Sequence, residues 1–292
     1  MRLLRTMRRL FAALFLFVGF QVAAGQTTNP KDSQTPWRVF TDSAPVLAAP
    51  DRNAQPVSTL KHDDLVSGTL IVDSDSNDEW LEFSRNRETL FVSRTNLTRP
   101  HPASLKKGNL PYGTEIVNRW WGIPISYEPN DLVVIPAKYT TDKDGYRLRK
   151  EACDQLVKMF EAAEKEGVKI RVASAYRSGE TQVRIYTRNT RRDPSQRSSA
   201  PPGHSEHQLG TTVDLSDFEG KHSIRTSFET TKESAWMEKN AANFGYVRTY
   251  YPDNVNETGY ISEPWHWRYF GQKIALQKAA ARKAGEGKQA VN

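Results

Sequence analysis

Gly203-His-Ser-Glu-His-Gln-Leu-Gly-Thr-Thr-Val-Asp214, answered later by Glu263-Pro-Trp-His-Trp-Arg268, is the pair of stretches on which the reading of this chain turns. Together they hold His207, Asp214 and His266, side chains of types that bind transition metals, with Glu263 three positions before the last of them. Two imidazoles and one carboxylate leave one position of a tetrahedral zinc open, which separates catalytic from structural zinc. Water in such a position has a pKa near roughly 7, and Glu263 is placed to take its proton. The spacing His207-x6-Asp214 does not fit one helical face, where neighbours lie three or four apart. It suits a turn leading into a strand, with Gly210 letting the backbone bend close to the metal. Pro264 holds Glu263 out of the helical region and predicts an extended Glu-Pro-Trp-His segment. These residues predict a zinc hydrolase.

Outward from the motif, Val213-Asp214-Leu215 reads as a buried strand whose carboxylate needs a metal or a partner. Upstream, Leu148, Ala152, Leu156, Met159 and Ala163 recur at the three-and-four spacing of one buried helical face, stopped by Gly167. Lys169–Ala175 alternates as a strand and delivers Tyr176-Arg177-Ser178, followed by a short helix with Gln182, Val183 and Tyr186. Asn189 and Thr190 open a polar loop that runs to Pro202, a candidate lid over the site. Downstream, Thr230 and Glu233 form a capping box for a helix from about Thr231 to Asn243, with Gly245 past its end. Tyr246–Tyr251 and Glu263–Phe270 are expected strands, and Lys273–Lys283 an Ala/Lys helix. Trp120, Trp121 and Trp236 are expected in the core, and Trp265 and Trp267 at the border of the site.

The N-terminal part differs in kind. Arg2, Arg5, Arg8 and Arg9 precede an apolar run, Leu10–Phe20, too short for the ~20 residues of a spanning helix. With Val22-Ala23-Ala24 behind it, residues 1–25 read as a cleaved export signal, leaving no stable membrane span. Its loss removes four arginines and no acids, so the formal charge falls from +7 to +3. A mild positive balance with dispersed basic residues suits an exported protein near anionic wall polymers and gives no ground for nucleic-acid binding. Cys153 has no disulfide partner and falls on an apolar helical flank, a small buried hydrophobe. Residues 26–36 read as a polar spacer. Residues 37–100 break into short apolar runs, Trp37–Phe40, Val46-Leu47, Val57–Leu60, Leu65–Val72, Trp80–Phe83 and Leu90–Val92, the pattern of a small all-β barrel or sandwich. Residues 101–117 form a Pro- and Lys-containing linker, 118–275 the second domain and 276–292 a basic helical tail.

Two resemblances follow. The order of apolar runs in residues 37–100 resembles a bacterial SH3-like domain, which implies either docking to the cell wall or packing against a neighbour. Ser205-x-His207-x-x-Gly210-x-x-Val213-Asp214 with Glu263-x-x-His266 resembles the signature of the zinc D-alanyl-D-alanine carboxypeptidases of the VanY type, in the LAS group. Asp131-Leu-Val, Leu148-Arg-Lys-Glu-Ala and Ser174-Ala-Tyr-Arg-Ser178 with Gln182 agree with it, while Thr211-Thr212 stands where relatives carry a small apolar pair. The fold so implied is α+β, an LAS-type antiparallel sheet with flanking helices behind a small SH3-like barrel. The resemblance implies zinc on His207, Asp214 and His266, Glu263 as general base and proton donor, and Arg177 gripping the substrate. Ser178, Gln182 and Ser205 would line the pocket, and His204 would stand beside the ligands without being one. The implied activity is removal of the terminal D-alanine from peptidoglycan stem peptides by a secreted protein of the periplasm or cell wall. Two alternatives stay open: an endopeptidase that cuts cross-links, and a non-catalytic zinc-stabilised wall-binding protein.

Overall fold

The short apolar runs after residue 36 fold as eight strands in the computed structural model, which describes residues 36–99, 109–113, 117–142, 145–193 and 198–289. These strands are β1 (Trp37–Val39), β2 (Ser43–Leu47), β3 (Pro56–Lys61), β4 (Leu65–Val66), β5 (Thr69–Val72), β6 (Glu79–Arg85), β7 (Glu88–Ser93) and β8 (Leu97–Thr98). They pair antiparallel in two sheets, ordered β3-β2-β7-β6-β5 and β4-β1-β8. Trp37 and Val39 of the smaller sheet share one core with Val46, Leu81 and Val92 of the larger. The run Leu65–Val72 was expected as one strand, but it is cut at Gly68, where a Cβ would lie 2.2 Å from the Glu82 carbonyl oxygen. The chain crosses there from one sheet to the other. The expected barrel is not closed among the described residues, because β3 and β5 remain edges of the larger sheet. The export signal of residues 1–25, residues 26–35 of the spacer and residues 101–108 and 114–116 of the linker lie outside the described residues.

The second domain mixes helices with antiparallel strands. Its elements are β9 (Leu132–Val134), β10 (Arg147–Arg149), α1 (Lys150–Lys165), β11 (Ile170–Ser174), α2 (Gly179–Arg192), β12 (Thr212–Asp217), α3 (Lys232–Asn240), β13 (Tyr246–Arg248), α4 (Val255–Thr258), β14 (His266–Tyr269) and α5 (Gln272–Gln289). The site-bearing sheet runs β11-β12-β14-β13, and β9 pairs with β10. Ala152, Leu156, Met159, Phe160 and Ala163 of α1 are buried in one core with Val172, Val213, Leu215 and Trp267 of the sheet. Each fully buried Leu or Met on that face is worth about 1.5–3 kcal/mol. Cys153 is buried on the same helix, and burial pushes its thiol up, so it is no nucleophile. No helix of the described residues is long and apolar enough to cross a membrane.

Several expected boundaries shift. The helix after Arg177 is not short: α2 runs on to Arg192, so Asn189 and Thr190 are helical and do not open a loop. The cap of α3 is Thr231, which accepts from the Ser234 N–H at 3.1 Å, and Thr230 belongs to a preceding 3-10 turn. Beyond Asn240 the chain tightens into a second 3-10 turn that Gly245 ends at φ 84°. Trp120 and Trp121 are half-buried and not core; the Arg99 guanidinium lies 4.2 Å over the Trp121 ring. Glu263-Pro-Trp is a turn, closed by the His266 N–H donating to the Glu263 carbonyl at 3.2 Å, and the strand begins only at His266.

A polar clasp joins the two domains. Glu79 of β6 and Arg119 pair at 2.8 Å with both side chains nearly inaccessible. His204 is fully buried beside them. Its Nδ1 faces the Asn118 carbonyl at 2.9 Å, so Nδ1 carries the hydrogen and Nε2 accepts from the Arg99 backbone N–H at 3.2 Å. Burial, reinforced by Arg94, holds this histidine well below its usual pKa and so neutral. His204 thus ties the metal-motif loop to the β-domain, a role its place in the motif did not reveal.

Candidate metal centre and active site

Three backbone arrangements converge on one point. β12 and β14 are register neighbours that place Asp214 directly opposite His266. His207 comes from the 3-10 turn Glu206–Leu209, which Gly210 ends in the left-handed region at φ 69°. That turn is tied to the end of β11 by the Arg177 N–H donating to the His207 carbonyl at 3.2 Å.

The two imidazoles present opposite nitrogens. His207 turns Nδ1 to the Ala175 carbonyl at 2.7 Å and Nε2 to Asp214 at 3.2 Å. His266 turns Nε2 to Glu206 at 2.9 Å and Nδ1 to Asp214 at 3.3 Å. One donor atom from each of His207, Asp214 and His266 lies within 4.8 Å of the others. Asp214 Oδ1 and His266 Nδ1 are buried without a hydrogen-bond partner, the signature of atoms meant for a ligand. The electrostatics agree. Burial lowers His207, against Asp214, and leaves it a neutral donor. Burial acts the same way on His266, but the Asp214 carboxylate beside Nδ1 and the Glu206 carboxylate at Nε2 push it up to about 10. Burial opposes ionisation of Asp214, yet His207 and His266 hold its carboxyl well below the usual range. The carboxylates of Glu206, Asp214 and Glu263 all lie within 3.5 Å of His266, a concentration of negative charge that a divalent cation balances. The set of two imidazoles and one carboxylate fits zinc.

Glu263 reaches the same point from the turn before β14, its Oε2 3.5 Å from His266 Nδ1. Burial pushes its carboxyl up to about 7, with His266 opposing and Asp214 adding. A carboxylate near neutrality and beside a metal cradle is matched to proton transfer. Arg177 stands on the other side, 4.0 Å from Asp214, donating to Gln182 Oε1 at 2.8 Å and Ser174 at 3.3 Å.

A cavity of about 440 Å³ opens over this cluster, and Arg177, Ser205, His207, Asp214, Glu263 and His266 all line it. Ser178 and Gln182, expected in the pocket wall, are not among its lining residues. The Ser178 hydroxyl caps α2 by accepting from the Thr181 N–H, and Gln182 spans Arg177 and the Ala200 carbonyl as a brace. Trp265 lines the cavity, whereas Trp267 is buried in the core. His62 is exposed and His222 half-buried, both outside it, and His101 lies outside the described residues.

Glu206, Tyr250, Ile224 and Ile261 were not picked out from the sequence. Glu206 is buried between His266 and Arg268, and these two hold it at about 2 despite its burial. It fixes which His266 nitrogen carries the hydrogen, the carboxylate–histidine–metal arrangement. Its only sequence signal is an acid inside the motif, with its arginine 62 positions away. The Tyr250 ring lies against the His266 ring, 4.5 Å between centroids and tilted by 32°. Ile224 and Ile261, half-exposed, give the cavity an apolar lip, and Ile224 sits at φ 51°, a conformation a β-branched residue rarely adopts.

A sheet carrying a three-donor metal cradle beside a buried carboxylate of raised pKa defines the class: mixed α/β domains with a hydrolytic type of metal centre. Residues 145–272 match the family model VanY, D-alanyl-D-alanine carboxypeptidase. The chain belongs to that family through its second domain. It is similar to YodJ of Bacillus subtilis (strain 168), whose name provisionally makes it a carboxypeptidase, with 34% identity over 55% of this chain and 60% of that protein. It is also 36% identical to a D-alanyl-D-alanine carboxypeptidase of Enterococcus faecalis (strain ATCC 700802 / V583), over 49% of this chain and 57% of the relative. The chain thus spans less than two thirds of either curated relative. Among solved structures, the LdcB LD-carboxypeptidase, described as revealing the molecular basis of peptidoglycan recognition, aligns at a TM-score of 0.54 with 34% identity. That alignment covers 57% of this chain and 80% of that one.

Proposed function

We propose that this protein is a zinc-dependent D,D-carboxypeptidase that hydrolyses the terminal D-alanyl-D-alanine bond of peptidoglycan stem peptides. The observation that carries the reading is the convergence of His207 Nε2, His266 Nδ1 and Asp214 beside Glu263. His207, Asp214 and His266 would hold the zinc, which would supply Lewis acidity at the scissile carbonyl. Glu263 accepts a proton from the attacking water and returns it to the leaving amine, and its pKa of about 7 suits both steps. Arg177, braced by Gln182 and Ser174, offers a guanidinium to the developing oxyanion or to a substrate carboxylate. Ser205 adds a hydroxyl to the wall.

The N-terminal domain we read as SH3-like, on its order of strands and on two antiparallel sheets around one core. Its proposed role is to hold the enzyme at the cell wall. The signal-like residues 1–25 support export to the periplasm or wall. A second reading, removal of the last residue of a shorter stem by L,D cleavage, is favoured by the likeness to the LdcB structure.

Mass spectrometry of a pentapeptide, a tetrapeptide and a cross-linked dimer after incubation with the zinc-loaded chain separates these readings. Loss of one alanine from the pentapeptide supports the D,D reading; loss from the tetrapeptide alone replaces it with the L,D reading, and cleavage of only the dimer with an endopeptidase. Glu263→Ala should keep its zinc and lose roughly 10²–10⁴ in kcat. Loss of metal from that variant would overturn the assignment of Glu263 as base.

A further inference from the structure

α2 does more than deliver the brace of Arg177. Its face Ile185, Arg188 and Asn189, at i, i+3 and i+4, forms one wall of the metal cavity. The adjoining face carries Arg184, Arg188, Arg191 and Arg192, which with Val183 and Thr187 line a separate surface groove. Arg188 is the one lining residue the cavity and the groove share, so the groove adjoins the site at that side chain. All four arginines are exposed, and among the described residues none pairs with a carboxylate; Arg184 donates to the Thr181 hydroxyl at 2.8 Å. Four guanidiniums along one helical face, without acids to neutralise them, attract carboxylates and offer each a bidentate fork. From Arg184 to Arg192 the helix rises about 12 Å, the reach of three to four extended peptide residues.

We propose that this arginine groove is an extended subsite for the upstream part of the substrate, an acidic peptide whose free carboxylates lie along α2 while its last bond sits over the metal. Resting on the carboxypeptidase reading, the proposal makes Arg188 and its neighbours specificity-determining residues that take no part in bond cleavage. They favour substrates with an ionised carboxylate two to four residues before the cut over the same peptides with that group amidated.

The test uses the full zinc-loaded chain and two peptides of identical sequence, one with the upstream carboxylate free and one with it as a primary amide. Steady-state kcat and KM are measured for the unaltered protein, for Arg188→Gln and for Arg191→Gln with Arg192→Gln. For the free acid each variant should raise KM roughly three- to fivefold, as loss of exposed charge-assisted contacts predicts. For the amide, kcat and KM of the double variant, whose residues lie outside the metal cavity, should stay within error of the unaltered protein. Raising ionic strength should erase the preference for the acid. Equal losses on acid and amide, or a fall in kcat alone, would overturn the proposal. Should Arg188→Gln fail to fold, the double variant, outside the metal cavity, decides alone. If the unaltered protein cleaves neither peptide, the carboxypeptidase reading has failed, and fluorescence anisotropy of the labelled pair tests the groove independently. Tighter binding of the acid, lost in the double variant, then upholds it; equal binding of acid and amide, with displacement by inorganic polyphosphate, replaces it with a phosphate-polymer site.

Discussion

At the scale of single residues, His207, Asp214 and His266, split between two stretches of the chain, were legible through their resemblance to a family signature, and the structure brings the three together. Glu206 was not legible, since its meaning depends on Arg268 and His266 across the sheet. Glu206→Gln should weaken zinc binding roughly 10–100-fold, read by competition with a chromophoric chelator, because the amide no longer holds His266 by charge. An unchanged affinity would mean that Glu206 serves only Arg268. The titration of Glu263 gives a second expectation. The group must be ionised to accept a proton, so activity rises with pH through its pKa, about 7 from burial and its neighbours. A bound dication favours the carboxylate and moves that limb lower. The acidic limb of kcat/KM should therefore lie at or below pH 7, and it should disappear in Glu263→Gln along with most of the activity. A limb well above pH 7 would point to a different base.

Elements follow the same division. α1 was legible because Ala152, Leu156, Met159 and Ala163 repeat on one face and Gly167, at φ 77°, ends it; Leu148, expected on the same helical face, lies instead in β10. α2 was cut short in the reading because Thr-Arg-Asn-Thr-Arg-Arg lacks apolar residues, yet buried Gln182 and Tyr186 anchor it at i and i+4. The segment at Pro264 misled in the opposite direction. Proline restricts Glu263 to extended backbone, but a turn accommodates that as well, and the strand starts three residues later, at His266. The N-cap of α2 offers a test at this scale. Ser178→Ala removes the acceptor for the Thr181 N–H and should cost about 1 kcal/mol in denaturant unfolding. Because the cap directly follows Arg177, kcat should fall as well; unaltered kcat alongside the lost stability would show that the guanidinium is held by Gln182 and Ser174 alone.

For the whole molecule, the existence of two domains could be read from the switch between short β-like runs and helical periods. How they meet could not, because Glu79 and Arg119 are ordinary surface residues by type and only the fold buries them together. Removing one partner from such a pair leaves a buried charge uncompensated, so Arg119→Ala should lose about 3–5 kcal/mol in chemical denaturation. A loss below about 1 kcal/mol would mark the contact as solvated and dispensable. Gly122 and Gly203 add a steric condition: a Cβ on Gly122 would lie 2.5 Å from the Gly203 carbonyl oxygen, in the loop that reaches His204 and then the zinc motif. A boundary drawn along the chain, between residues 100 and 118, is thus not where the molecule divides. A gene fusion that exchanged the β-domain for another of the same shape would inherit a catalytic half still asking for a glutamate at position 79 and for backbone at residue 99 to meet His204. The two halves are compatible only as a matched pair, and substitutions at their seam can persist only when both sides change together.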